Sequence, residues 1–202
     1  MFATRDANRV GFIGYGKLSM GRDDMKCPLD IALLTTGGTI EKTYDPVHGL
    51  FSNDVSVLDV MLADLNLDGV ALHRHVVMNK DSLDMTDVDH TAIVDLALSE
   101  AGVRDGVVII HGTDRLAMTG EMLVSMAVDL SVPIVLTGAM LPWIISTTDA
   151  KQNLTEAMLA VQLLGPGVYV CMHNRALQFP GIVKDRARLR FARACDCEHE
   201  DV

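Results

Sequence analysis

Apolar runs in this chain stop abruptly at small residues: 29–35 before Gly37-Gly38, 107–110 before His111-Gly112, and 133–137 before Gly138. A run that is apolar throughout suits a strand buried on both faces, and such strands form parallel sheets covered by helices. Residues 70–78 and 168–172 read as further strands. Stripes at helical spacing lie between the runs. Val55, Leu58, Leu62 and Leu65 line one face of a helix that Asn53 or Asp54 can cap. Thr86 followed by Asp89 opens another, with Val88, Ala92 and Leu96 on one face. Leu116, Leu123, Ala127 and Leu130 stripe a third, and Leu154, Met158 and Val161 a fourth that starts near Asp149. Strands alternating with helices predict right-handed β-α-β units, an α/β three-layer sandwich with a mostly parallel sheet.

With 49% hydrophobic and 22% charged residues, the chain has the balance of a folded globular protein. Its length suits a single domain over 28–192, with a polar, flexible leader over 1–27 and an acidic tail over 193–202. Gly11, Gly14 and Gly16 are only faintly like a dinucleotide fingerprint, since no strand precedes them and no clear helix follows. The net charge of −10 argues against sequence-independent nucleic-acid binding, which needs a basic face. The longest apolar runs are too short to span a bilayer, and the N-terminus lacks a signal peptide's pattern. Cys27, Cys171, Cys195 and Cys197 match neither a disulfide framework nor a zinc site. A reducing cytoplasm fits these features. The basic stretch 184–190 reads as a solvated edge or an intersubunit segment.

In an open α/β sheet, ligands bind beyond the carboxyl ends of the strands. Four such ends are rich in small and polar residues: 35–44, 79–86, 111–115 and 137–143. In the first, Gly37 and Gly38 let the backbone turn sharply and aim N–H groups at an oxyanion, while Thr39 offers a hydroxyl. A hydroxyl attacks only when a neighbour takes its proton; Tyr44 or Lys42 is close enough in sequence to do so or to gate the site. A tight turn with a capping Thr explains the same residues. In the third end, Thr113 and Asp114 pair a hydroxyl with a carboxylate, a combination also common at helix N-caps. The second offers Ser82 for a substrate carboxylate, with Asp81 and Asp84 for an amine; a capped helix start fits it equally. His73 and His75 share a strand face without a third ligand and read as ordinary strand residues.

In order and spacing, Thr36-Gly-Gly-Thr39-Ile40, Ser82-Leu-Asp84-Met85, His111-Gly-Thr113-Asp114 and Thr137-Gly-Ala139-Met140 resemble the bacterial L-asparaginase/glutaminase family. Ser146-Thr-Thr-Asp149 and Asn153-Leu154 extend the match, which covers roughly residues 29–183. The resemblance implies that Thr39 is the nucleophile that forms an acyl-enzyme from a side-chain amide and releases ammonia. Tyr44 would be hydrogen-bonded to Thr39, and Asp114, beside Thr113, would meet the substrate amine. Ser82 would receive the α-carboxylate, and the backbone around Gly38, Gly112 and Ala139 would line the pocket. No metal or cofactor is implied.

This sequence departs from the family pattern in three ways. It ends where the family's smaller C-terminal domain would begin, so it resembles the short single-domain asparaginases. Leu83 stands where the family has a glutamine that helps hold the substrate amine. The lysine that pairs with the second threonine is expected near the end of the helix after Asn153, and residues 160–164 contain none. Lys80, Lys151 or Lys42 is then the substitute, with Lys80 assigned to the catalytic set and Asp81 to the substrate-binding set.

The leading expectation is therefore an L-asparagine amidohydrolase with weaker action on glutamine. The alternative is a non-catalytic asparagine- or aspartate-binding module. An amidotransferase component acting on charged tRNA is disfavoured by the net charge and by the absence of an RNA-binding appendage. An open strand-end pocket in a single-domain form predicts a homodimer or homotetramer.

Overall fold

Residues 31–36 are buried without a break, as a central strand requires. They belong to β1 (Leu29–Gly37), which lies between β4 (Val70–Lys80) and β5 (Gly106–Ile110). The sheet continues through β6 (Pro133–Thr137), β7 (Gly167–Met172) and β8 (Arg175–Gln178), in the order β4-β1-β5-β6-β7-β8. Every pairing is parallel except β7 with β8, which turns back through His173 and Asn174, both at positive φ. The computed structural model describes residues 28–53 and 56–197. The leader expected over 1–27, with Cys27, lies outside the described residues, as do residues 198–202.

Alternating residues of β1 feed two cores. Ala32 and Leu34 pack toward α2 (Asp87–Ala101) and α3 (Leu116–Met126), while Ile31 and Leu33 pack toward α1 (Leu58–Ala63) and α4 (Ala150–Leu163). This is the three-layer α/β sandwich that the alternation of strand and helix patterns predicts. From β1 the chain moves outward to β4, then crosses back to β5 on the other side. The reversal leaves a crevice between the ends of β1 and β5, where open α/β sheets take their ligands.

Some local expectations are revised. Asn53 does not cap α1: its Nδ2 donates to the Gly38 carbonyl at 2.9 Å, and Val57 occupies the cap position with no side-chain bond. Asp54 and Val55 lie outside the described residues. Thr86 and Asp89 do form a reciprocal capping box on α2. Its buried face, however, is Ile93, Val94 and Ala97, and Val88 is 77% exposed. The expected stripe runs one position out of phase because a capping turn precedes the packed face. Leu130 lies beyond the end of α3 at Met126.

Nor is the basic stretch 184–190 simply a solvated edge. It runs through the hairpin of β9 (Ile182–Asp185) and β10 (Arg190–Arg193). Gly120 of α3 lets the Phe179 ring approach so closely that a Cβ there would lie 2.2 Å from it. Glu121 on the next position accepts the Gly181 N–H at 2.6 Å and the Ile182 N–H at 3.3 Å. These contacts seat the hairpin against the strand ends. Arg193 still pairs in β10 and α5 (Ala194–Cys197) follows, so the fold runs past residue 192. Among the described residues, no helix is long and apolar enough to cross a membrane.

Candidate active site

The turn after β1 is built around backbone that only glycine fills easily. Gly38 has φ +80°, and a Cβ there would lie 2.4 Å from the Gly112 Cα. The ends of β1 and β5 therefore touch main chain to main chain. Gly38 N–H donates to the Lys80 carbonyl at 2.8 Å, and Thr36 Oγ1 donates to the Ile110 carbonyl at 3.1 Å, which ties the turn to both neighbouring strands. Thr39 then opens a 3-10 turn over Thr39–Glu41. Two residues on, Glu41 is buried; burial pushes its carboxyl up, although bonds from Ser56 and the Gly37 N–H pull the other way.

Thr113 and Asp114 are not helix caps. Arg115 holds the cap position of α3, and no side chain caps that helix. Thr113 is instead buried with its Oγ1 accepting from Lys184 Nζ at 2.8 Å. The same ammonium lies 3.1 Å from Asp114 Oδ1, and Arg186 also reaches that oxygen, at 2.8 Å. Thr39, Thr113, Asp114 and Lys184 line one cavity of about 410 Å³.

A lysine does meet Thr113, but it is Lys184 and none of the three that the sequence suggested. Lys80 pairs with Asp89 at 2.7 Å, Lys42 with Asp81 at 2.5 Å, and Lys151 with Asp64 at 3.5 Å. Among the described residues none of the three hydrogen-bonds Thr113, and the structure turns Lys80 toward Asp89 instead. A strand signal could have found Lys184. Side chains two apart share a strand face, and Ile182 is buried, so Lys184 points inward as well. Its side chain is only 12% exposed.

Two further residues belong to the site without carrying an expected role. Asp149 and His173 line the same cavity. Asp149 receives the Met140 and Leu141 N–H groups at 3.0 Å, Asn153 Nδ2 at 2.8 Å and His173 Nε2 at 2.7 Å. Burial alone would raise its carboxyl, but these bonds outweigh burial and hold it below the usual range. Asn153 also donates to the Gly138 carbonyl and accepts the His173 N–H, so one amide locks the ends of β6 and β7 together.

The remaining expected residues fall close by. Ser82 is buried with its Oγ unpartnered, and a Cβ on Gly112 would sit 2.6 Å from that oxygen. Asp81 accepts the Leu83 N–H besides pairing with Lys42; burial raises its carboxyl, but those partners bring it below the usual range. Ala139 packs into the α1/α4 core. Tyr44 departs from expectation. It stands half-exposed on the hairpin of β2 (Thr43–Asp45) and β3 (Leu50–Ser52), its ring 5.5 Å from Phe51, with no hydrogen bond to Thr39 among the described residues.

Beneath the site runs a buried relay. A carbonyl can only accept, so His111 Nδ1 donates to the Gly112 carbonyl at 2.8 Å, and its Nε2 accepts from Thr119 Oγ1 at 2.8 Å. Thr119 in turn accepts from His90 Nδ1 at 2.7 Å. Burial pushes His111 down to about 4, and burial lowers His90 too. His111 is therefore neutral in the folded protein near pH 6, whereas the unfolded chain takes up protons below about 6.5. Stability therefore holds above that value and falls as the pH drops toward about 4, by about 3 kcal/mol for His111 alone. Urea unfolding measured between pH 7 and 4 should show this slope, and His111→Gln should flatten it.

A family model described as the asparaginase N-terminal domain matches residues 30–192. The chain is 31% identical over 151 residues to the L-asparaginase of Thermococcus kodakarensis, covering 74% of this chain and 45% of that one. It is 35% identical over 146 residues to a glutamyl-tRNA(Gln) amidotransferase component of Haloquadratum walsbyi, covering 71% and 33%. The solved structure of the thermostable T. kodakarensis L-asparaginase superposes with a TM-score of 0.74 at 29% identity, covering 82% of this chain and 51% of that one. The chain thus spans about half the length or less of these relatives.

Proposed function

Because this chain belongs to the asparaginase family, we propose that it is an amidohydrolase that releases ammonia from a small carboxamide such as L-asparagine, with Thr39 as nucleophile. One observation carries the reading: two threonines line one cavity, and the hydroxyl of the second is held by a lysine ammonium that also meets a carboxylate. In the proposed reaction Thr39 Oγ adds to the amide carbon and gives up its proton. The C–N bond then breaks, ammonia leaves and an ester remains on Thr39, which water hydrolyses. The two glycine N–H groups are not the oxyanion donors, since Gly38 N–H goes to the Lys80 carbonyl and Gly37 N–H to the Glu41 carboxyl. The Lys184–Thr113 pair is the proposed route for the protons. Assembly into a homo-oligomer belongs to the same reading.

The test is ammonia release from L-asparagine, with L-glutamine beside it, together with the thermal midpoint in L-aspartate. Turnover supports the proposal. Stabilisation by aspartate with no ammonia from either amide would instead identify a binding module. Similarity to an amidotransferase component supports a second reading, amide hydrolysis in the service of a tRNA-dependent partner. Ammonia release from glutamine that rises on adding charged tRNA would favour it.

A further inference from the structure

The second half of the proposed reaction, attack of water on the Thr39 ester, needs a group that takes up a proton. Most polar groups of the cavity are already committed. Lys184 gives its ammonium protons to Thr113 and Asp114, and an ammonium only donates. Asp114 Oδ1 carries both Lys184 and Arg186. Asp149 accepts from two backbone N–H groups, the Asn153 amide and the His173 ring. His173 itself is different: it lines the cavity beside these groups and has one ring nitrogen to spare.

His173 Nε2 lies 2.7 Å from Asp149 Oδ2. Burial would raise that carboxyl, but its hydrogen bonds keep it an anion, and an anion only accepts. Nε2 therefore carries the proton of the neutral imidazole, and Nδ1 offers a lone pair. Among the described residues Nδ1 has no hydrogen-bond partner, and it is not sealed away from water. Asn153 fixes the pair from behind: its Oδ1 accepts the His173 N–H at 3.0 Å while its Nδ2 donates to Asp149 at 2.8 Å. Ring and carboxylate thus hang from one amide and are oriented before any substrate arrives. A carboxylate that fixes an imidazole and leaves its second nitrogen free is a general-base arrangement.

We infer that His173, oriented by Asp149, is a further catalytic residue: the base for the water that hydrolyses the Thr39 ester. The inference rests on the amidohydrolase reading. The water oxygen bonds to the ester carbon while one of its protons passes to Nδ1. The C–O bond to Thr39 then breaks, the proton returns to Thr39 Oγ, and the acid leaves. Acting on a water lets the imidazole serve a cavity of this size without touching Thr39.

The experiment is rapid mixing of the wild-type chain and His173→Asn with L-asparagine. Asparagine suits the φ of +54° at this position and keeps a donor for Asp149, but has no basic nitrogen. In the variant the first equivalent of ammonia should leave at a rate within a few fold of wild type. Later turnovers should slow by roughly a hundredfold or more, and the ester on Thr39 should accumulate, visible as added mass after acid quenching. Hydroxylamine, a stronger nucleophile than water, should restore turnover and give the hydroxamate. A normal kcat with no ester would overturn the inference and leave the amidohydrolase reading standing. Equal slowing of the first and later turnovers, with no gain from hydroxylamine, would also overturn it, since that is the mark of a structural role. If the wild-type chain releases no ammonia from L-asparagine or L-glutamine, the amidohydrolase reading fails and takes the inference with it.

Discussion

Replacing Thr39 by alanine should lower ammonia release from L-asparagine by roughly a thousandfold or more, with little change in thermal midpoint. The two effects separate because the turn does not depend on this hydroxyl. Its shape comes from Gly38, from the Gly38–Lys80 and Thr36–Ile110 hydrogen bonds, and from the Asn53 amide on the Gly38 carbonyl. The following 3-10 turn has no side-chain cap, and the Trp143 N–H braces it at the Ile40 carbonyl. Thr39→Ser should keep measurable turnover, since it preserves the oxygen. Turnover in Thr39→Ala within a few fold of wild type would remove the nucleophile assignment.

The second large effect is expected at Lys184. Lys184→Met keeps the aliphatic stem but removes the ammonium beside Thr113 and Asp114. Proton-transfer groups of this kind contribute roughly a hundredfold to ten-thousandfold in rate, and a loss of that size in kcat is expected. Folding should suffer less, because Asp114 keeps Arg186 and is not left as an unpaired buried charge. Lys80→Met is the control. Lys80 pairs with Asp89 at the start of α2 and is 45% exposed, so its removal should leave kcat near normal. A full rate in Lys184→Met would sink the proton-relay role.

The strands and their glycine endings are legible in the sequence because burial on both faces leaves an unbroken apolar run. The crevice between β1 and β5 follows from topology alone. Thr39, Thr113, Asp114 and Ser82 stand out because each belongs to a local turn motif. Lys184 does not, because its partner is 71 residues away in sequence, and local spacing carries no record of such a meeting. The same holds for Asp149 with His173, which become neighbours only once β7 has turned back beside α4. The misplaced stripe on α2 has another cause: Val88 lies in the first turn, where the capping geometry rather than packing decides which side chains face outward.

The seating of the β9–β10 hairpin on α3 has a consequence for synthesis. A ribosome that has released the chain through α4 has already made both threonines and the whole glycine turn. It has not yet made the amine that serves the second of them. Until Phe179 settles over Gly120 and Glu121 takes the Gly181 N–H, the half-made protein holds a hydroxyl pair without its cation. On the proposed mechanism, the proton-handling pair is completed only when the last hairpin docks and brings Lys184 to Thr113.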